Sequence, residues 1–181
     1  MTQHIENFKI RCGNVTLRGQ RWTCKKPKKI LLIMHGAGNS SGKGFYNLQT
    51  YLHTHNYDSI TFDFLGHGET GGKLKNSSLE RRTEQALAVV HRFNLYTDLN
   101  VIGFSMGAHN ALHIAAQAYA TRLGLAIPAV YSEQAEKLTF GASFSSCIRR
   151  HRSWEDSKCF SIIEDFKGKL LIISAEKDAI I

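Results

Sequence analysis

The stretch Asn100-Val-Ile-Gly-Phe-Ser-Met-Gly107 decides the fold predicted for this chain. Its first four residues form a short run that predicts a buried strand, and residues 106–121, rich in Ala, Leu and His, predict a helix. The two elements meet in a G-x-S-x-G pentapeptide, a sharp turn that places Ser105 between Gly103 and Gly107. Side chains at either glycine would collide with the neighbouring strand and helix, so the pattern predicts a serine hydroxyl raised clear of the sheet.

Strand and helix patterns alternate on both sides of this turn. The other predicted strands are residues 29–34, 57–62, 123–131 and 169–174, and the other predicted helices are residues 44–55 and 78–93. Ser77 or Ser78 is predicted to cap the second of these helices, because a serine oxygen accepts hydrogen bonds from free backbone N–H groups. Residues 7–12 and 15–23 alternate apolar and polar around Gly13-Asn14, which predicts a β-hairpin at a sheet edge. Strands that alternate with helices predict an α/β fold, a mostly parallel, doubly wound sheet with helices on both faces.

Three motifs follow three successive central strands, where the functional loops of such a sheet lie. They are His35-Gly-Ala-Gly38, Asp63-Phe-Leu-Gly-His-Gly68 and Gly103-Phe-Ser-Met-Gly107. In this order and spacing the chain resembles the α/β-hydrolase fold family of serine esterases and acyl hydrolases, over essentially its whole length. The pentapeptide alone is a weak signal, and its strand and helix context gives it weight.

The resemblance assigns roles to particular residues. Ser105 is implied as the catalytic nucleophile, with the backbone N–H groups of Ala37 and Met106 as the oxyanion hole. The implied acid is Asp178, in an Ala-Glu-Lys-Asp turn after the last predicted strand, where alanine replaces the family's glycine. Glu133 is the alternative acid, because some members of the family place the acid after the preceding strand. The acid would fix the tautomer of a catalytic histidine and stabilise its imidazolium.

The catalytic base is missing from this pattern. The family's order is serine, then acid, then histidine, and no histidine follows Asp178 before Ile181. We therefore expect residues 1–181 to be a single α/β-hydrolase domain that is incomplete at its C-terminus and lacks the last strand and helix. Such a chain would be inactive by itself and a serine hydrolase in its full-length form. Two alternatives remain open: a natural inactive binding protein, and a base recruited from elsewhere, such as His151.

Four other histidines have structural interpretations. In similar proteins His35 is hydrogen-bonded within its loop, and the turn that carries His67 shapes the end of the sheet. His109 and His113 have the i, i+4 spacing of a metal-binding pair. No carboxylate ligand accompanies them in the sequence, so we interpret them as packing or surface residues and predict no metal and no cofactor.

Residues 132–168 occupy the place where hydrolases insert a cap over the active site, and we predict a short lid-like segment there. Its aromatic residues would form a wall of an acyl pocket, and Arg149, Arg150 and Arg152 would attract an acidic substrate. The simpler interpretation is a surface helix that covers the sheet. The sequence does not choose between ester, thioester and peptide substrates.

Composition excludes some functions. The net charge of +8 comes from separate short runs at 25–29, 81–82 and 149–152 without a nucleic-acid-binding motif, so we interpret these residues as solvated. The four cysteines form no CxxC pair, the N-terminus lacks a secretory pattern, and no apolar segment is long enough to span a membrane. We expect a cytoplasmic protein whose partner is a small acyl or ester substrate, with no nucleic acid and an undetermined oligomeric state.

Overall fold

Seven strands form one mixed sheet in the computed structural model, which describes residues 4–177. The strands are β1 (His4–Cys12), β2 (Val15–Thr23), β3 (Ile30–Met34), β4 (Asp58–Asp63), β5 (Asn100–Phe104), β6 (Arg122–Ala126) and β7 (Lys169–Ile173). The helices are α1 (Tyr46–Thr54), α2 (Leu79–Arg92), α3 (Met106–Gln117), α4 (Ala142–Ile148) and α5 (Lys158–Asp165). The predicted α/β class is confirmed. Asp178, the implied acid, lies outside the described residues.

The strand order is β1-β2-β4-β3-β5-β6-β7. The β1–β2 hairpin is antiparallel and lies at one edge, as the sequence predicts, and β2 also pairs antiparallel with β4. Every other pairing is parallel. Because the central strands β3, β4 and β5 run in the same direction, the loops that follow them all lie at one end of the sheet.

Helices α2 and α3 bury an apolar face against the sheet. Every residue of β4 is buried, and in β5 Val101 is 1% exposed. Helix α2 begins at the capping residue Ser78, one of two predicted candidates, whose side chain accepts a hydrogen bond from the Arg81 N–H at 3.1 Å. Among residues 4–177, no helix combines the length and the apolar character that crossing a membrane requires.

Strand β6 is shorter than predicted. The sequence predicts a strand over residues 123–131, but β6 ends at Ala126 because Ile127 takes a left-handed backbone conformation with φ of 47°. Its N–H donates to the Ile173 carbonyl at 2.7 Å, and the next residue, Pro128, has no N–H with which to continue a ladder. The chain then turns towards the end of β5, where the Ala129 N–H donates to the Ser105 carbonyl at 3.3 Å.

Strand β7 is an exposed apolar edge. It pairs with β6 on one side, and all five of its residues are exposed, including Leu171 at 57% and Ile172 at 51%. An edge strand of this kind presents unpaired backbone groups beside an apolar surface, which favours pairing with another chain.

We therefore predict that the 181-residue chain self-associates through β7. Substitution Leu171→Lys is expected to shift the chain towards monomer, because a charge on an edge strand opposes strand-to-strand pairing. Size-exclusion chromatography with light scattering measures the shift. Tyr119→Lys is the matched control, since Tyr119 is 83% exposed but lies outside the sheet. A monodisperse wild-type monomer at high concentration would contradict the prediction.

Candidate active site

The turn between β5 and α3 holds Ser105 in a conformation that few residues adopt. Its backbone angles are φ 51° and ψ −122°, and its side chain is exposed. Its N–H donates to the Ala126 carbonyl at 2.9 Å, and its carbonyl accepts from the Ala108 N–H at 2.9 Å. Such a conformation costs about 1–3 kcal/mol and persists only where the surrounding structure holds it. The strain therefore marks this serine as a candidate functional residue.

Glycines pack the backbone tightly on both sides of the serine. A Cβ added at Gly103 would lie 2.2 Å from the Gly107 carbonyl oxygen, and one added at Gly107 would lie 2.5 Å from the His35 carbonyl oxygen. Both distances are far below van der Waals contact. The steric reason predicted for the two glycines is confirmed, because each sits where strand, turn and helix backbones meet.

The loop after β3 approaches the same turn. A Cβ at Gly36 would lie 3.1 Å from the Ser105 Cβ, so these two segments are in close contact. Ala37 follows this contact and is exposed, while Met106 is the first residue of α3. Within the described part of the chain, neither the Ala37 N–H nor the Met106 N–H donates a hydrogen bond. Two unpaired N–H groups beside an exposed serine are what an oxyanion site requires.

His35 is a buried part of this loop and not a free base. It is fully buried, its Nε2 accepts from the Phe64 N–H at 3.1 Å, and its Nδ1 donates to the Gly36 carbonyl at 2.8 Å. Burial, with a further contribution from Arg82, lowers the pKa of His35 to about 3. Both ring nitrogens are occupied and the ring is neutral, which agrees with the predicted structural role.

Arg82 holds the same loop from behind. Its guanidinium is fully buried and lies 3.8 Å from the Phe64 ring centroid. Its Nη2 donates to the His35 carbonyl at 2.6 Å, and its Nε donates to Asn110 Oδ1 at 3.1 Å. A second bond from Nη2 reaches the Gly36 carbonyl at 3.2 Å. With these two carbonyls turned towards Arg82, the loop backbone has a fixed orientation beside the serine.

The interpretation of residues 81–82 as a solvated basic run is therefore wrong for Arg82. The signal that could have revealed its burial is helical spacing: Arg82 lies three residues after Leu79 and four before Ala86, on the buried face of α2. On this buried face, where an apolar side chain would make only packing contacts, the Arg82 side chain makes hydrogen bonds to the loop after β3.

A model of the family described as "Serine aminopeptidase, S33" matches residues 25–152. The chain belongs to this S33 family. No curated protein sequence matches it significantly.

Solved structures similar to this S33 chain show the α/β-hydrolase fold. A predicted CIB-like hydrolase from Thermoplasma acidophilum has a TM-score of 0.70 at 13% identity over 99% of this chain and 77% of its own. Est1E from Butyrivibrio proteoclasticus, with ferulic acid bound, has a TM-score of 0.70 at 18% identity over 91% and 77%. The thioesterase domain from the curacin biosynthetic pathway has a TM-score of 0.62 at 21% identity over 72% of this chain. The S33 chain spans 48% of that domain's length.

The Asp63–Gly68 turn joins two loops near the candidate site. The Asp63 carboxylate accepts from the Gly42 N–H and from the Glu69 N–H, each at 2.7 Å, and so joins two loops. His67 is buried in this turn, 4.8 Å from the His35 ring, and burial lowers its pKa. Its interpretation as a residue that shapes the end of the sheet agrees with this position.

His109 and His113 lie on α3 and have the carboxylate neighbour that the sequence did not reveal. Glu136 Oε1 is 2.8 Å from His109 Nε2 and 3.1 Å from His113 Nε2, and Cys159 Sγ is 3.2 Å from His109 Nδ1. Burial opposes ionisation of Cys159, but hydrogen bonds from the two histidines outweigh it and lower the pKa of the thiol to about 6. The expectation that no carboxylate accompanies the pair is wrong, because Glu136 approaches from a distant part of the chain.

The lid-like segment contributes packing near the site. Phe140 and Phe144 are buried in a second hydrophobic cluster with Leu79 and Met106, whereas Trp154 is exposed. Arg149, Arg150 and Arg152 are exposed as well. Glu133, the alternative acid, is exposed and pairs with Lys158 at 2.6 Å.

Arg82 gives a stability prediction. Replacement by Met removes the donor that Arg82 supplies to the His35 carbonyl and to Asn110 Oδ1, whereas the Gly36 carbonyl keeps its bond from His35 Nδ1. Each buried unpaired acceptor costs about 1–3 kcal/mol. We expect a loss of at least about 2 kcal/mol in the free energy of unfolding, measured by urea denaturation. Arg92→Met, at the exposed end of the same helix, is the control. An equal loss in both variants would contradict the prediction.

His35 gives a prediction about pH. Its pKa is about 3 in the folded state against an ordinary value of 6.5, so its contribution to stability is complete above pH 6.5 and is lost as the pH falls towards 3. Between pH 7 and pH 5 this group removes about 2 kcal/mol of stability. His35→Gln should lower that pH dependence by the same amount in urea unfolding, whereas the exposed control His151→Gln should not change it. Parallel pH profiles of wild type and His35→Gln would show that His35 is not the group responsible.

Proposed function

We propose that this chain carries the nucleophile and oxyanion site of a serine hydrolase that cleaves an ester, thioester or related acyl bond. The observation that carries the proposal is the strained, exposed Ser105 beside two unpaired backbone N–H groups. Membership of the S33 family and the α/β-hydrolase fold support hydrolase chemistry in general. The role of each residue below is part of the proposal.

Attack of the Ser105 Oγ on a carbonyl carbon produces a tetrahedral intermediate with a negatively charged oxygen. The Ala37 and Met106 N–H groups would donate hydrogen bonds to that oxygen, and the N-terminus of α3 adds the positive end of its dipole. Such donors act without reorganising during the reaction, since Arg82 and the glycines already hold both segments. The loss of a single oxyanion donor typically lowers kcat by about 10²–10³.

We propose that the catalytic base comes from outside the described residues. All nine histidines of the sequence lie within residues 4–177, and none of them forms a hydrogen bond with the Ser105 hydroxyl. We propose that longer forms of the protein supply a histidine beyond residue 181, with Asp178 as its acid partner. The ion pair between Glu133 and Lys158 favours Asp178 over Glu133 for that role.

The wall of the site next to the serine is aromatic. Phe104, directly before Ser105, stacks against Phe45 with 4.7 Å between ring centroids, and both rings are half-buried. An apolar or aromatic acyl group would bury surface against this pair. Among the structural neighbours, one is a thioesterase domain and another holds ferulic acid, which is in keeping with a small acyl substrate.

A fluorophosphonate probe, which reacts with activated serine hydroxyls, tests the proposal. Full-length protein that includes sequence beyond residue 181 is expected to be labelled, and Ser105→Ala is expected to abolish the labelling. Ser146→Ala, at an exposed serine of α4, is the control and should be labelled like the wild type. The 181-residue chain should react more slowly by about 10⁴ or more, because it lacks a base. Labelling that survives Ser105→Ala would overturn the assignment.

The second candidate is an acyl-binding protein without catalysis. It is favoured by the observation that no histidine within residues 4–177 forms a hydrogen bond with the Ser105 hydroxyl. Such a protein would keep the aromatic wall and the N–H pair as a binding site for a carbonyl or carboxylate group. If the full-length protein is unreactive towards the probe and binds a short-chain acyl ligand by calorimetry, this candidate replaces the hydrolase.

A further inference from the structure

Four side chains that the proposed hydrolase chemistry does not use meet on the far side of α3. His109 and His113 project from successive turns of that helix, Cys159 is the second residue of α5, and Glu136 follows a short 3-10 helix at residues 133–135. One imidazole nitrogen from each histidine and the Cys159 Sγ all lie within 4.8 Å of one another.

The spacing of these atoms suits a tetrahedral metal ion. Bonds of about 2.0–2.1 Å to nitrogen and 2.3 Å to sulfur place two ligand atoms of a tetrahedral zinc about 3.6 Å apart. The His109 Nδ1 and the Cys159 Sγ are 3.2 Å apart, and the whole set lies within 4.8 Å. The widest separation exceeds the tetrahedral spacing by no more than about 1.2 Å, so binding requires the side chains to move closer by that amount.

Burial is the second observation that points to a ligand. His109 and Cys159 are fully buried, and Cys159 belongs to the main hydrophobic core. The Nε2 of His113 is also buried, but it lacks a well-aligned hydrogen-bond partner among the described residues although Glu136 is 3.1 Å away. A buried polar atom without a partner costs free energy, which a bound ion would recover.

Glu136 has the position of a carboxylate that supports metal-bound histidines. It accepts from the Nε2 side of His109 at 2.8 Å, which leaves the Nδ1 lone pair of that ring directed towards Cys159. Histidines that bind metals usually donate their other N–H to a carboxylate in this way, which fixes the tautomer. The side chains therefore include both the ligands and the group that orients one of them.

An ion has a route to the cluster. His113 and Glu136 line a surface cleft of ≈ 820 Å³. Its other charged residues are Glu80, Glu84, Glu133, Lys137 and Lys158. The two lysines pair with Glu80 and Glu133, so carboxylates outnumber ammonium groups on the wall and a cation is attracted.

We propose that His109, His113 and Cys159 bind one divalent ion of the zinc class, with Glu136 supporting His109 and a water molecule in the fourth tetrahedral position. Thiolate and imidazole ligands select zinc and similar metals over magnesium or calcium, which prefer oxygen. The ion would join α5 to α3 and so fasten the segment over residues 132–168 to the core. The site is independent of the hydrolase chemistry proposed for Ser105.

Cobalt(II) titration of the chelator-treated chain tests the site, because a thiolate bound to cobalt gives a charge-transfer band. We expect one equivalent of Co²⁺ to produce the band and Zn²⁺ to displace it. Cys159→Ser should abolish the band, whereas Cys147→Ser, at a buried cysteine of α4 outside the cluster, should leave it intact. A folded wild-type chain that gives no band, or a band that survives Cys159→Ser, would overturn the proposal.

Two further variants test the site without removing the buried Cys159 thiol, so that a result does not depend on whether Cys159→Ser folds. His113 lies at the open edge of the cluster, and His113→Gln should lower zinc affinity by about 100-fold or more with a native circular dichroism spectrum. Glu136→Gln should weaken zinc binding by about 10–100-fold. Ser105→Ala should bind zinc like the wild type, so failure of the hydrolase proposal would not affect this result. Unchanged zinc affinity in both cluster variants would show that these side chains form only a hydrogen-bonded network.

Discussion

The close approach of three backbone segments around Ser105 is the constraint on which the rest of this structure depends. Gly103 and Gly107 lie where strand β5, the loop after β3 and the first turn of α3 meet. The space there is too small for any side chain larger than a hydrogen atom. That packing forces the serine into its left-handed conformation and pushes its side chain outwards. The hydrogen bonds and burial of the central strands offset the cost of this strain.

Arg82 extends this constraint into the core. Its guanidinium donates hydrogen bonds to the His35 and Gly36 carbonyls in the loop after β3. These bonds hold both carbonyl groups away from the serine. A buried positive charge without a carboxylate is costly unless several acceptors surround it. Here two carbonyls, an amide oxygen and the face of Phe64 surround it. The loop beside Ser105 is thus fixed by the buried interactions of Arg82 in the core.

The segment over residues 132–168 contributes to two different places. Phe144 belongs to the same hydrophobic cluster as Met106, the first residue of α3, while Glu136 and Cys159 meet the histidines on another part of that helix. One helix therefore connects the Ser105 turn at its N-terminus with a buried polar cluster further along. A metal ion in that cluster would stabilise the helix that positions the turn, without touching a substrate.

The sequence by itself determined the features that depend on local sterics. The strand and helix order, the edge hairpin, the Ser78 cap and the requirement for Gly103 and Gly107 all follow from neighbouring residues. Only the tertiary structure decided the burial of Arg82, the early end of β6 and the meeting of His109 with Glu136 and Cys159. The burial of Arg82 and the meeting of the side chains around His109 depend on contacts between residues 27 to 50 positions apart. The early end of β6 depends on the hydrogen bond that the Ile127 N–H donates to β7. No periodicity within a single segment encodes such contacts, because they arise when separate helices and strands pack together.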